Sequence, residues 1–211
     1  MIDKTIANVI ATGSDGNCEI YHGTIAVDMG ISFAKIKPYV NQLQLVLLSH
    51  QHTDHFNIKT IKRLASERPT LRFGCGAWLA PLLSDIKNVD VYELNKWYDY
   101  GAFKVCIGKS YHDVDNCFFR IEKKGYKIFR ATDTAHLEGI EAKDYDIFAI
   151  EHNYDEDTVY QIIERQESQG KFAHQKRSIN SHLSEQQARD FIFKNRKETS
   201  EVIRLHESKT V

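Results

Sequence analysis

Gln44-Leu45-Val46-Leu47-Leu48-Ser49 followed directly by His50-Gln51-His52-Thr53-Asp54-His55 is the stretch on which the reading of this chain turns. The first six residues are apolar enough for a buried strand, and the next six read H-x-H-x-D-H, a pattern dense in metal-ligating side chains. The strand end supplies rigidity and the loop behind it supplies donors. In an extended segment the side chains at i and i+2 point the same way, so His50 and His52 can converge on one ion. After the chain turns, Asp54 and His55 can reach a second. Imidazole nitrogen and carboxylate oxygen suit Zn²⁺, Mn²⁺ or Fe, whereas an all-oxygen set would suit Mg²⁺ or Ca²⁺.

Around this segment lie strand-like runs at residues 5–10, 18–21 and 24–28, broken by Gly13-Ser14-Asp15-Gly16-Asn17. Downstream, Ile58, Ile61 and Leu64 have helical spacing, and a short apolar helix is expected over 78–83. Strands return after Asn88, at 102–110 and in a hairpin joining 116–123 to 126–132 through Lys124-Gly125, where glycine supplies a positive φ. A strand over 145–151 leads into a helix with Val159, Ile162 and Ile163 on one face. Ser184-Glu185-Gln186-Gln187 places Ser at an N-cap and Gln at N3, a capping box that starts a helix over 184–194. A last strand is expected at 201–205. Strands grouped first and helices interleaved later predict a single domain over 1–211. It belongs to the α/β (α+β) class: two sheets packed face to face with helices outside, a four-layer αββα sandwich.

With 211 residues, 42% hydrophobic and 27% charged, the chain is long enough for a well-buried core. Its 28 Lys+Arg against 29 Asp+Glu exclude a histone-like polycation. Met1-Ile2-Asp3-Lys4 lacks the apolar run of a signal peptide, and no stretch reaches the roughly 18 to 20 apolar residues of a membrane helix. A cytoplasmic protein with no membrane partner is expected. Cys18, Cys75, Cys106 and Cys117 form no C-x-x-C pair and read as core thiols. Charge is uneven, because residues 171–211 carry 9 Lys+Arg against 5 Asp+Glu. Lys171, Lys176 and Arg177 precede His182 and could line the rim of a metal site where phosphates approach, with Phe172 as a stacking surface. An ordinary solvated loop and helix face is the other reading.

One loop cannot complete such a site. His112, Asp133 and His182, each at the end of an expected element, can supply further donors. At this point the chain resembles the metallo-β-lactamase superfamily, and more narrowly its YycJ/WalJ-type exonuclease-like branch. The motifs are Gly13 to Cys18 with Asp28-Met29-Gly30, Ser49 to His55, His112-Asp113, Thr132-Asp133-Thr134, Glu151-His152-Asn153-Tyr154-Asp155 and His182-Leu183-Ser184. Where the branch commonly reads Glu-Ser-Asn-His-Asp, this chain has Glu151-His152-Asn153-Tyr154-Asp155.

The resemblance implies two divalent metal ions, Zn or Mn. His50, His52 and His112 would hold one, Asp54, His55 and His182 the other, and Asp133 would bridge. Asp28 would orient a ligand loop; shaping the Met29-Gly30 turn is the alternative. The implied activity is metal-dependent hydrolysis by a two-metal-activated hydroxide, most directly by a phosphodiesterase or exonuclease acting on DNA or RNA. Asp54 and Asp133 then belong to the catalytic group, and His152 and His206 are candidates to protonate the leaving oxygen. Similar His-x-Ser segments in nuclease branches hold a substrate phosphate, which would make His206 and Ser208 phosphate contacts; an exposed C-terminal histidine is the other reading. A small-molecule hydrolase on the same site is the alternative, either a cyclic-nucleotide phosphodiesterase or a thioester or lactone hydrolase of the glyoxalase II kind. A purely structural zinc site needs four ligands and this chain offers seven, which argues against a non-catalytic metal-binding protein.

Overall fold

The computed structural model describes residues 6–170 and 175–207, the side chain of Arg177 excepted. Contacts divide the chain into two compact units, Met1–Tyr98 and Asp99–Val211. In the first, six strands form one sheet in chain order: β1 (Ala7–Ala11), β2 (Cys18–Tyr21), β3 (Ile25–Val27), β4 (Leu45–Leu48), β5 (Arg72–Gly76) and β6 (Val89–Tyr92). β1, β2 and β3 pair antiparallel, and β3 to β6 pair parallel. β4 is buried at every position, as a continuous Leu-Val-Leu-Leu run in a parallel sheet requires. Helix α1 (Phe33–Ile36) and helix α2 (Ile58–Glu67) fill the crossovers on either side of β4. Asn57 caps α2 by accepting the Thr60 N–H at 3.2 Å, and Ile61 and Leu64 enter one core with Val46, Leu48 and Phe73.

Two expectations need correction in this unit. The stretch expected as a helix over 78–83 is a 3₁₀ turn, Ala80–Leu83, with Pro81 in its first turn. Trp78 stays outside it and donates its indole N–H to the Ser49 carbonyl at 3.0 Å. Strand β5 was not anticipated, because glycine is a poor strand former. Its glycines make room for aromatic rings: a Cβ at Gly74 would lie 2.4 Å from the Tyr92 hydroxyl, and one at Gly76 2.2 Å from the Trp78 ring.

The second unit contains β8 (Phe103–Ser110), β9 (Asn116–Lys123) and β10 (Tyr126–Ala131) as an antiparallel meander. β11 (Ile147–Glu151) and β12 (Glu201–Leu205) then continue the sheet parallel to β10. β7 (Trp97–Asp99), in which the unit boundary falls, completes the order β12-β11-β10-β9-β8-β7. The β9–β10 hairpin turns on Lys124 and Gly125, with φ of 52° and 81°, the left-handed pair a tight two-residue turn demands. Helices α3 (Glu156–Ser168), α4 (Gln175–Ser181) and α5 (Glu185–Asn195) come between β11 and β12. The α5 capping box is formed: Ser184 Oγ accepts the Gln187 N–H at 3.0 Å and Gln187 Oε1 accepts the Ser184 N–H at 2.9 Å. Ala188, Phe191 and Ile192 of α5 pack on Phe129, Phe148 and Ile150. All four cysteines are buried thiols, and burial pushes Cys75 up to about 12. Among the described residues no helix is long and apolar enough to cross a membrane.

Candidate metal centre

In the first unit Val27 of β3 lies opposite Leu47 of β4, so Asp28 and His50 leave the carboxyl ends of neighbouring parallel strands. That edge is where open α/β sheets present ligand-binding groups. Asp28 is fully buried with a left-handed φ of 57°, which an aspartate tolerates better than a branched residue. Its Oδ1 accepts the Ser49 N–H at 2.9 Å, and its Oδ2 lies 2.7 Å from His55 Nδ1. Asp28 thereby ties the first and last residues of the histidine loop together. The Ser49 hydroxyl lies 2.9 Å from His50 Nδ1, and the His50 ring centroid is 4.8 Å from that of His52 and 4.3 Å from that of His55. With Nδ1 engaged, Nε2 is the nitrogen that His50 and His55 would present to an ion.

Asn17 was read only as part of a turn and a motif. Its buried amide nitrogen lies 2.8 Å from His55 Nε2 and donates to the Gly13 carbonyl, the Asp54 carbonyl and Asp54 Oδ2 at 3.1, 3.2 and 3.3 Å. Gly30 closes the arrangement, because a Cβ there would fall 1.6 Å from the Asp54 carbonyl oxygen.

In the second unit the parallel strands β10, β11 and β12 end side by side, and Asp133, Glu151 and His206 sit at those ends. Asp133 and His206 again have left-handed φ, 55° and 50°. His112 follows β8, and His182 precedes the capped start of α5. The ligand atoms of Asp133, Glu151, His182 and His206 all lie within 4.8 Å of one another. Asp133 Oδ1 is 3.4 Å from His182 Nδ1, 3.6 Å from His206 Nε2 and 4.0 Å from His112 Nε2. His112 donates from Nδ1 to the Ser181 carbonyl at 2.8 Å, which leaves Nε2 as its coordinating nitrogen.

Sequence reasoning quoted Glu151 within a motif and gave it no role of its own. It is fully buried, and its Oε1 lies 2.6 Å from His182 Nδ1 and 3.2 Å from His206 Nδ1. Its Oε2 accepts the N–H groups of Thr134 and Leu183 at 3.3 and 3.2 Å. The signal was the Glu151-x-Asn153 alternation: both side chains reach this cluster, and Asn153 donates to the His206 carbonyl at 3.1 Å. His152, between them, turns elsewhere. Its Nδ1 lies 3.0 Å from the Ile150 carbonyl and its charged neighbours are Arg204, Glu185 and Glu207. Asp155 accepts the Thr158 N–H and caps α3.

Electrostatics separates the imidazoles. Burial pulls His112 below the usual histidine range, despite Asp133, and so favours the neutral form that a metal requires. Burial also lowers His152. For His182 burial acts the same way, but the Glu151 carboxylate, seconded by Asp133, outweighs it and raises the ring. Glu151 in turn is held down by His182 against its own burial.

Lys171, Phe172 and Ser208 lie outside the described residues, as does the side chain of Arg177. Lys176 is exposed on α4 and donates to Glu167 of α3.

The donor set suits a divalent transition metal: imidazoles pinned through Nδ1, with carboxylates beside them. Such clusters on the carboxyl edges of these two sheets define a metal-site α/β protein. The chain belongs to the beta-lactamase superfamily, since residues 19–164 match the family described as a beta-lactamase superfamily domain. That match runs from the first unit into the second. Among solved structures, the chain is similar to the metallo-beta-lactamase fold protein YhfI from Bacillus subtilis, with TM-score 0.73 and 17% identity over 97% of this chain and 87% of that one. It is also similar to the short form of human tRNase Z, with TM-score 0.67 and 14% identity over 96% and 92%. These likenesses show the metallo-β-lactamase fold. A curated relative is cytidine monophosphate-N-acetylneuraminic acid hydroxylase of Pan troglodytes, 26% identical over 108 residues, which are 46% of this chain. The match spans only 18% of that relative's length.

Proposed function

We infer that this chain is a divalent-metal-dependent hydrolase of phosphodiester bonds, with DNA or RNA as its substrate. The observation that carries this reading is the pair of imidazoles, His55 and His112, pinned through Nδ1 by Asp28 and the Ser181 carbonyl, so that Nε2 is the coordinating nitrogen. The tRNase named above and the resemblance to the exonuclease-like branch support nucleic acid as substrate. The hydroxylase activity belongs to a far longer protein. In this reading His50, His52, Asp54 and His55 of the first unit, and His112 and Asp133 of the second, are metal ligands, and the metal is Zn or Mn. Bound ions supply Lewis-acid charge and a nucleophilic hydroxide at neutral pH.

Geometry favours exchanging two roles that the resemblance implied for His182 and His206. His182 directs toward Asp133 the same Nδ1 that is committed to Glu151, whereas His206 directs Nε2. His206 then completes the metal set and His182 protonates the leaving group. His206→Ala should lower bound metal, and His182→Ala should keep the metal and lose kcat. The opposite pattern restores the first assignment.

The activity itself is tested on labelled single-stranded and duplex DNA, RNA, cyclic nucleotides and a thioester with Zn²⁺ and Mn²⁺. Terminal nucleotide release that disappears in Asp54→Ala is expected. Turnover of the cyclic nucleotide or the thioester alone would move the reading to a small-molecule hydrolase.

A further inference from the structure

In the second unit a cleft of about 460 Å³ runs between the segment after Asp133 and helix α5, within the size range of small-ligand sites. The chain itself ties it to the candidate centre. His136, three residues beyond Asp133, lines it, and so does Leu183, next to His182. Leu137, Leu183 and Phe191 form a buried apolar floor. The exposed rim carries Glu138 and Asp190 against Lys194, a negative balance that disfavours a phosphate. It favours a flat, neutral group that brings N–H donors to carboxylates.

The lining residue His136 is backed by an aromatic ring outside the cleft. The His136 ring stacks on Tyr111, with centroids 4.1 Å apart and planes 24° from parallel. Tyr111 is the residue before His112 and is 41% exposed. His136 Nδ1 is buried and has no hydrogen-bond partner among the described residues.

We propose that this cleft is a nucleobase subsite that selects a base with adjacent ring and exocyclic N–H donors, guanine foremost. The base lies on the apolar floor beside the His136–Tyr111 pair, and its paired donors meet Asp190 or Glu138. The sugar and phosphate lie toward the Asp133 and His182 end. The inference rests on the phosphodiesterase reading, for which it names the recognised part of the substrate.

Calorimetric binding of GMP, UMP and ribose 5-phosphate to the full chain tests it directly. GMP should bind at least about tenfold more tightly than ribose 5-phosphate, with UMP between them. Glu138→Gln with Asp190→Asn, both at exposed positions, should erase most of that advantage and leave ribose 5-phosphate binding unchanged. In turnover the double variant should raise KM for a guanine-containing dinucleotide about tenfold at constant kcat, and leave the base-free diester bis(p-nitrophenyl) phosphate unaffected. GMP binding no tighter than ribose 5-phosphate, or unaltered in the double variant, would overturn the proposal. GMP binding through these carboxylates in a protein that cleaves no diester would support the subsite and remove the phosphodiesterase reading.

Discussion

Asp28 and Gly30 show how single residues set the histidine loop. Asp28 accepts from the loop's first backbone N–H and faces the ring of its last histidine, so Asp28→Asn keeps an acceptor but loses the charge on His55. Outer partners of this kind are worth about 10- to 100-fold in metal affinity. Chelator competition should register that loss, and an unchanged affinity would remove Asp28 from the support of the centre. At Gly30 the obstacle to a side chain is the Asp54 backbone, 1.6 Å from an added Cβ, and backbone cannot swing aside as a side-chain tip can. Gly30→Ala should cost at least the roughly 1–3 kcal/mol of ordinary overpacking, read from urea unfolding. The six-residue histidine segment was legible because all its donors sit within one turn of chain. Glu151 and Asn17 were not, because the contacts of Glu151 to His182 and His206, and of Asn17 to Asp54 and His55, exist only once the fold brings those residues together.

Among the elements, α5 carries the clearest local code. Ser184 accepts from Gln187 and donates to Glu156 at 2.6 Å, so its hydroxyl serves both the helix start and a contact to α3. Ser184→Ala should cost about 1 kcal/mol or somewhat more, shifting the urea midpoint, and Ser184→Thr should recover part of it. A midpoint that does not move would mean that the capped end frays at no cost. The box, the Lys124-Gly125 hairpin and β12 were readable because neighbours in the chain decide them. Strand β5 was unreadable, since its Gly-Cys-Gly run makes sense only once the Tyr92 and Trp78 rings lie against it.

For the whole molecule, metal and pH are the external variables. A ligand that binds only the folded chain stabilises it by about 2.7 kcal/mol at a hundredfold excess over Kd, so EDTA treatment should lower Tm and added Zn²⁺ should restore it. A melt indifferent to both would contradict a bound metal. Alkaline stability follows from burial. Tyr145 and Tyr154 are pushed up to about 12 from 10.0, and Cys75 to about 12 from 9.0, in each case first by burial. These groups are held protonated in the fold, so their contribution is intact below about pH 9 and is lost as pH rises through 12. Thermal melts between pH 8 and 11 should fall steadily, and Tyr145→Phe should flatten part of that slope.

The sequence alone determined the alternation of strands and helices, the mixed α/β class and the histidine loop, because periodicity, turn residues and dense donor spacing are local quantities. Tertiary structure decided which donors meet. Three parallel strands ending side by side put Asp133, Glu151 and His206 within reach of His182, although 73 residues of chain separate the first from the last. Strand pairing, a non-local event, makes neighbours of residues that no spacing rule connects.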